Sequence, residues 1–170
     1  MAVTAHVLPK VMLQIGLKAV ALTADTFTAG LCTGDSSAWT TGTVWGRQFA
    51  SDITTAYTEI GTVGTYTAGY AGRVALTTLT FTQQAATNDN IAFWTCTSPA
   101  PIAFGGGSAS ISARTMFINN KTAGGSSSDA NSNVMTVIDF GATVSSTAGA
   151  YTYTVSATAG APGLIYFTMA

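Results

Sequence analysis

Val134-Met135-Thr136-Val137-Ile138-Asp139-Phe140 is apolar at all but two positions, and shortly after it Tyr151-Thr152-Tyr153-Thr154-Val155-Ser156 alternates without a break. The first is the pattern of a strand buried on both faces. The second has the period of two expected when one face turns inward and a hydroxyl face turns outward. Together they point to a β-sheet protein, and the rest of the chain is read outward from them.

Upstream, Ser110 to Asn119 alternates in the same way, and Ile91 to Thr97 sets Ile91 and Phe93 opposite Ala92, Trp94 and Cys96. Arg73 to Thr82 shows Val74 and Leu76 on one side, then Leu79 and Phe81 on the other. That change of face across Thr77-Thr78 predicts a β-bulge or a strand buried on both faces. Thr26 to Cys32 presents Phe27, Ala29 and Leu31 to one face and Thr26 and Thr28 to the other, and Leu164 to Phe167 is a final apolar strand. Between them lie turn residues: Gly34-Asp35-Ser36-Ser37, Asn88-Asp89-Asn90, Ser98-Pro99-Ala100-Pro101, Gly105-Gly106-Gly107 and the Gly124-to-Ser128 run. Ala38 to Gly46 reads as a loop bearing Trp39 and Trp45, and Ser51 to Gly69 as a second loop rich in Thr, Gly and Tyr.

Only the N-terminal region has a helical period. Lys10, Gln14 and Lys18 recur every four residues, with Leu8, Val11, Met12 and Ile15 on the other side, and Pro9 suits a first helical turn. We read an amphipathic helix here in preference to a signal peptide, although Ala19-Val20-Ala21 has the small-x-small form of a cleavage site. The segment is too short and interrupted to span a bilayer. The expected architecture is all-β: a single β-sandwich, jelly-roll-like, over residues 22–170, preceded by an arm and short amphipathic helix over 1–21.

Only 13 of 170 residues are charged, whereas 90 are Thr, Ala, Gly or Ser. A typical soluble domain is about a quarter charged. Thr suits a pleated strand and keeps its outer face wet without charge, so copies of this chain repel one another little. The usual Lys guards of sheet edges are scarce too, which is tolerable where a partner covers the edge. Both traits favour an assembling, structural protein. With a net charge of −1 and no two adjacent basic residues, neither nucleic acid nor an anionic membrane is an expected partner.

The composition also leaves little for catalysis. The single histidine, His6, precedes the helix near the N-terminus, where local disorder is common. Most carboxylates fall in turn-like contexts, and no catalytic, metal or cofactor residue is assigned. Asp139 is the exception, since it interrupts the most apolar strand and needs a partner there. Arg73 or Arg114, both in strands, is expected to supply a structural ion pair. Cys32 and Cys96 read as two small buried thiols, with a bridge between them left open. The triplet Asn120-Lys121-Thr122 matches a glycosylation sequon, with no secretory context to support it. The aromatics Trp39, Trp45, Tyr57, Tyr66 and Tyr70 fit core packing or a subunit interface better than a sugar-stacking platform.

The order of short motifs adds a resemblance. Ala24-Asp25-Thr26-Phe27 follows the helix, then Tyr57-Thr58-Glu59-Ile60, Tyr66-Thr67-Ala68-Gly69 and Val74-Ala75-Leu76-Thr77. Ser112 to Ile118, Val137-Ile138-Asp139-Phe140-Gly141 and a closing strand from Gly149 to Val155 complete the series. Over nearly its whole length the chain resembles small virion structural proteins of tailed bacteriophages, of the capsid-decoration, head-fibre or minor-tail type. One departure is that Tyr70-Ala71 separates Gly69 from Gly72, where the family pattern runs Tyr-Thr-Ala-Gly-Gly.

The resemblance brings no catalytic residues to transfer, and for want of acid–base groups neither an enzyme nor a cofactor is expected. It implies a place in the virion, on the capsid exterior or at the tail. The implied partners are the major capsid protein and the chain itself as a homotrimer; the alternative, since β-sandwiches with exposed aromatics often bind sugars, is a carbohydrate-binding host-adhesion module on the virion with host surface glycans as its partner. On the capsid reading the expected contact surfaces are Met12 and Ile15 on the helix and the loops Trp39–Trp45 and Tyr66–Tyr70.

Overall fold

The alternating runs pair into one large antiparallel sheet. A computed structural model describes residues 4–7, 9–34, 49–83, 91–98, 102–105, 109–122, 127–154 and 165–168. Its elements are β1 (Thr4–Val7), α1 (Pro9–Gly16), β2 (Phe27–Cys32), α2 (Ala50–Tyr57) and β3 (Val74–Gln83). They continue as β4 (Ile91–Ser98), β5 (Ile102–Phe104), β6 (Ile111–Asn120), β7 (Asn133–Ser146), β8 (Tyr151–Tyr153) and β9 (Ile165–Thr168). Seven strands follow the order β1-β7-β6-β2-β3-β4-β9, and β5 pairs with β8 in a two-stranded sheet. Every pairing is antiparallel, so the protein is all-β, with two short helices among the described residues.

Register sorts the side chains into two faces. Phe27, Ala29 and Leu31 of β2 lie opposite Asn120, Ile118 and Met116 of β6, and Met116 in turn pairs with Ile138 of β7. Phe27 meets Trp94 edge-on, with centroids 4.8 Å apart, and Trp94 Nε1 donates to Leu22 O at 2.8 Å. Burying such rings contributes about 1.5–3 kcal/mol apiece. The small sheet joins the same apolar mass: Phe104 packs against Tyr66 and Tyr151, and Tyr151 against Phe140.

The opposite face of β2, which carries Thr28, is buried as well. Thr28 Oγ1 donates to Asn119 Oδ1 at 2.9 Å, and Asn119 Nδ2 donates to Ser132 Oγ. Ser132 Oγ donates to Asn120 O at 2.9 Å, so the polar groups under this face satisfy one another. The helix α2 is anchored to the same turn as Ser132. Ala50, Ile53 and Tyr57 of α2 are spaced three and four residues apart and are all buried. Its first N–H groups find carbonyls in the 127–132 turn: Ala50 N donates to Ser132 O and Ser51 N to Asp129 O. Asp52 Oδ2 accepts from Phe49 N at 3.0 Å.

This helix corrects the reading of 51–69 as one loop. Thr-rich composition obscured an apolar stripe that tertiary packing then stabilised. A second correction concerns the N-terminus, where Thr4–Val7 is ordered as strand β1 against β7, with His6 opposite Val137. A third concerns β3. Ala75 and Thr77 are exposed, so the strand is not buried on both faces, and the pairs Thr77↔Ser98 and Leu79↔Cys96 stay in step. Thr78 changes the face by itself, in the left-handed region at φ 51°. The long strand β7 is buried over its first eight residues and alternates beyond Gly141, whose φ of 78° marks an irregularity in the pairing with β6.

Candidate interaction surface and buried charge cluster

Arg73 precedes β3, and its guanidinium lies fully inside the protein. Arg73 Nε donates to Glu59 Oε1 at 2.7 Å and Nη2 to Glu59 Oε2 at 2.8 Å. On the other side Nη1 donates to Asp129 Oδ1, and Nη2 to Asp129 Oδ2 at 2.8 Å. Both carboxylates are thus held in the two-pronged manner that suits the planar guanidinium. Below it lies the Phe117 ring, whose centroid is 4.7 Å from Arg73 Cζ. Gly30 makes the space: a Cβ there would stand 2.7 Å from the Phe117 ring and 3.0 Å from Arg73 Cδ. Burial by itself would lower the pKa of Arg73, but the hydrogen bonds and charges of Glu59 and Asp129 outweigh it and hold the group above its ordinary value.

Tyr66 belongs to the same cluster. Its hydroxyl donates to Glu59 Oε1 at 3.0 Å and accepts from Leu31 N at 3.3 Å. Burial, reinforced by the neighbouring Glu59 carboxylate, pushes the Tyr66 pKa up. Cys32 is a free buried thiol, pushed up chiefly by burial and next by Glu59. At neutral pH the Tyr66 hydroxyl and the Cys32 thiol therefore keep their protons, and the Arg73 charge is matched by Glu59 and Asp129. Among the described residues, no group of three or more His, Cys, Asp or Glu is placed to hold a metal ion. Nor is any described helix long and apolar enough to cross a membrane.

The expected ion pair for Asp139 is made by Arg114, whose Nε donates to Asp139 Oδ1 at 3.1 Å. Gly141 N donates to the same oxygen at 2.7 Å. Arg73 is not a partner of Asp139, because the register carries it to Glu59 and Asp129 instead. Those two acids were missed among the turn-like carboxylates. The available signal was that Glu59 is the only glutamate in the chain and stands beside apolar Ile60.

The expected contact surface is redrawn as well. Tyr66 is 1 % exposed, so it is core and not an outward contact. Tyr70 is half-buried: its hydroxyl donates to Lys121 O at 3.1 Å, and Lys121 Nζ stands 4.4 Å from its ring centroid. Ile15 packs partly against the core, whereas Leu13 and Leu17 stand exposed. The Met12 side chain and the whole Trp39–Trp45 loop lie outside the described residues. Asn120, the acceptor of the sequon, is buried and donates through Nδ2 to Asp25 Oδ2 at 2.6 Å, which closes it to glycosylation in the folded chain.

The outward strand positions carry almost no charge. Thr77, Thr78 and Thr80 of β3, Ser112 of β6, Thr143 and Ser145 of β7, and Thr152 of β8 are exposed. Ser112 and Ser145 share a hydrogen bond across β6 and β7 at 2.8 Å. Compared with protein-family models, with curated proteins and with solved structures, the chain matches none of them.

Proposed function

We propose that this chain is a structural protein of a tailed-bacteriophage virion, and within that class a capsid decoration protein on the outside of the shell. The observation that carries the reading is where the charge goes. Five of the thirteen charged residues (Glu59, Arg73, Asp129, Arg114 and Asp139) are engaged in ion pairs with one another. The surface is thereby poorer in charge than the composition alone indicates, and the described outward strand positions offer hydroxyl and methyl groups instead. Such a surface lies against copies of itself or a shell with little repulsion or desolvation cost. The ordered motifs from Ala24 to Val155 that resemble phage virion proteins support the same class.

The partners on this reading are the major capsid protein and the chain itself as a homotrimer. Each contact is modest, and repetition over a symmetric shell multiplies it. Cosedimentation of the purified chain with particles assembled without it tests the proposal. Saturable binding at a fixed number of copies per shell is expected. Binding confined to tailed particles, and absent from tailless heads, would move the protein to the tail.

A further inference from the structure

Arg73 and Arg114 are both tied to carboxylates, but only Arg73 has its full complement. Arg73 gives Nε and Nη2 to Glu59 and its Nη1–Nη2 edge to Asp129. Arg114 donates through Nε to Asp139 Oδ1 at 3.1 Å, and among the described residues its Nη1 and Nη2 have no partner. It is the same fork without the second carboxylate. The fork is also held in place. Gly141 N fixes Asp139 Oδ1 at 2.7 Å, and the Asp139 side chain is 7 % exposed against 29 % for Arg114.

Arg114 stands at the break in register, where residues 140–143 of β7 fall between the pairs Ala113↔Val144 and Thr115↔Asp139. Breaks of this kind re-aim a neighbouring side chain. Ser112, two residues away along β6 and so on the side of Arg114, is exposed and shares a hydrogen bond with exposed Ser145. The surroundings of the open edge thus offer hydroxyls and one negative charge, that of Asp139. A planar carboxylate of single charge fits the two-pronged edge, whereas a phosphate dianion meets stronger repulsion from Asp139. A second copy has no idle carboxylate to give among the described residues. Asp25, Asp52, Glu59, Asp129 and Asp139 each accept hydrogen bonds within their own chain.

We propose that the Nη1–Nη2 edge of Arg114, with the Ser112–Ser145 hydroxyl pair beside it, receives an aspartate or glutamate carboxylate of a partner protein. Resting on the virion reading above, that partner is the capsid shell protein.

The test titrates wild-type chain, Ser112→Glu, Ser112→Gln and Arg114→Lys onto particles assembled without this chain, with urea unfolding of each alongside. Ser112→Glu offers the open edge a carboxylate of the chain itself, and Ser112→Gln matches its size without the charge. Position 112 is exposed, so both should unfold within about 0.5 M urea of wild type. Ser112→Glu should bind roughly 30-fold or more weakly than Ser112→Gln. Arg114→Lys keeps the charge beside Asp139 but loses the two-pronged edge, and should bind about tenfold more weakly than wild type. Amidating the carboxylates of the particles should abolish that last difference. Equal binding by the two Ser112 variants, equal binding by wild type and Arg114→Lys, or a difference that survives amidation overturns the proposal and leaves the virion reading in place. Failure of wild type to bind any particle overturns the virion reading and the assigned partner together. A wild-type oligomer in sedimentation that Ser112→Glu alone dissolves gives the edge to a second copy and overturns the proposal. Binding to immobilised sialyllactose that Ser112→Glu abolishes overturns it in favour of an acidic sugar.

Discussion

Replacing Arg73 by Met tests the buried cluster. The substitution keeps an unbranched apolar stem over Phe117 and Gly30 but removes the guanidinium. Glu59, with a side chain 9 % exposed, and Asp129, 24 % exposed, then face each other without a cation. Breaking a buried ion pair by removing one partner costs about 3–5 kcal/mol. Loss of the cation over the Phe117 ring adds about 0.5–2 kcal/mol. Because Asp129 retains some water, the lower part of the combined range applies, near ~4 kcal/mol. With a urea slope of about 2 kcal/mol per molar, the unfolding midpoint falls by about 2 M. Circular dichroism against urea at neutral pH and fixed protein concentration measures it. The variant Arg73→Met/Glu59→Gln/Asp129→Asn removes the stranded charges and should recover about half of the loss. A single variant losing under about 1 kcal/mol would refute the assignment of Arg73 as the buried tie, as would a triple variant no more stable than the single.

Further outcomes follow from close packing and from titration. Gly30→Ala drives a methyl group into Phe117 and Arg73 and should cost about 1–3 kcal/mol, read as a lower urea midpoint. Trp94→Phe loses the hydrogen bond to Leu22 O and part of the contact with Phe27, lowering stability by about 1–3 kcal/mol and dimming the near-ultraviolet circular dichroism. Burial pushes the Tyr151 pKa up to about 12, and Tyr66 and Tyr153 shift in the same direction. A raised pKa means that the unfolded chain loses its proton first. Stability is therefore fully present below about pH 10 and falls as pH rises toward 12, by up to about 1.4 kcal/mol per pH unit for each tyrosine. Urea midpoints at neutral pH and at successive alkaline values check this, and a flat profile would contradict it.

The strands were the most legible part of the fold, because period-two alternation survives wherever a strand has one wet face. β8, the start of β6 and the end of β7 were readable on that ground, and the apolar run of β7 foretold burial on both faces, whereas residues 115–120 of β6, read as alternating, are buried on both faces. β2 was half read: the face that carries Thr28 is buried too, tied through Asn119 to Ser132 of the 127–132 turn, which no local pattern announces. α2 itself was hidden because Thr54 and Thr55 disfavour helix, while the deciding stripe of Ala50, Ile53 and Tyr57 draws its stability from the sheet beneath. At four residues, β1 is too short to show a period. Arg73 was offered as a partner for Asp139, but its carboxylates come from 14 and 56 residues away in the chain, a separation that only the folded topology resolves. On α1 the apolar side was read as Leu8, Val11, Met12 and Ile15, with Met12 and Ile15 expected as a contact surface; Val11 is buried and Ile15 packs partly against the core, while Leu13 and Leu17, which the reading did not single out, are exposed.

The location of the protein on an assembled particle tests the central claim most directly. Electron cryomicroscopy of virions carrying this chain is predicted to show it repeated across the outer surface of the capsid shell. Density for the chain only as a ring on the tail, or its absence from the particle, would contradict that prediction.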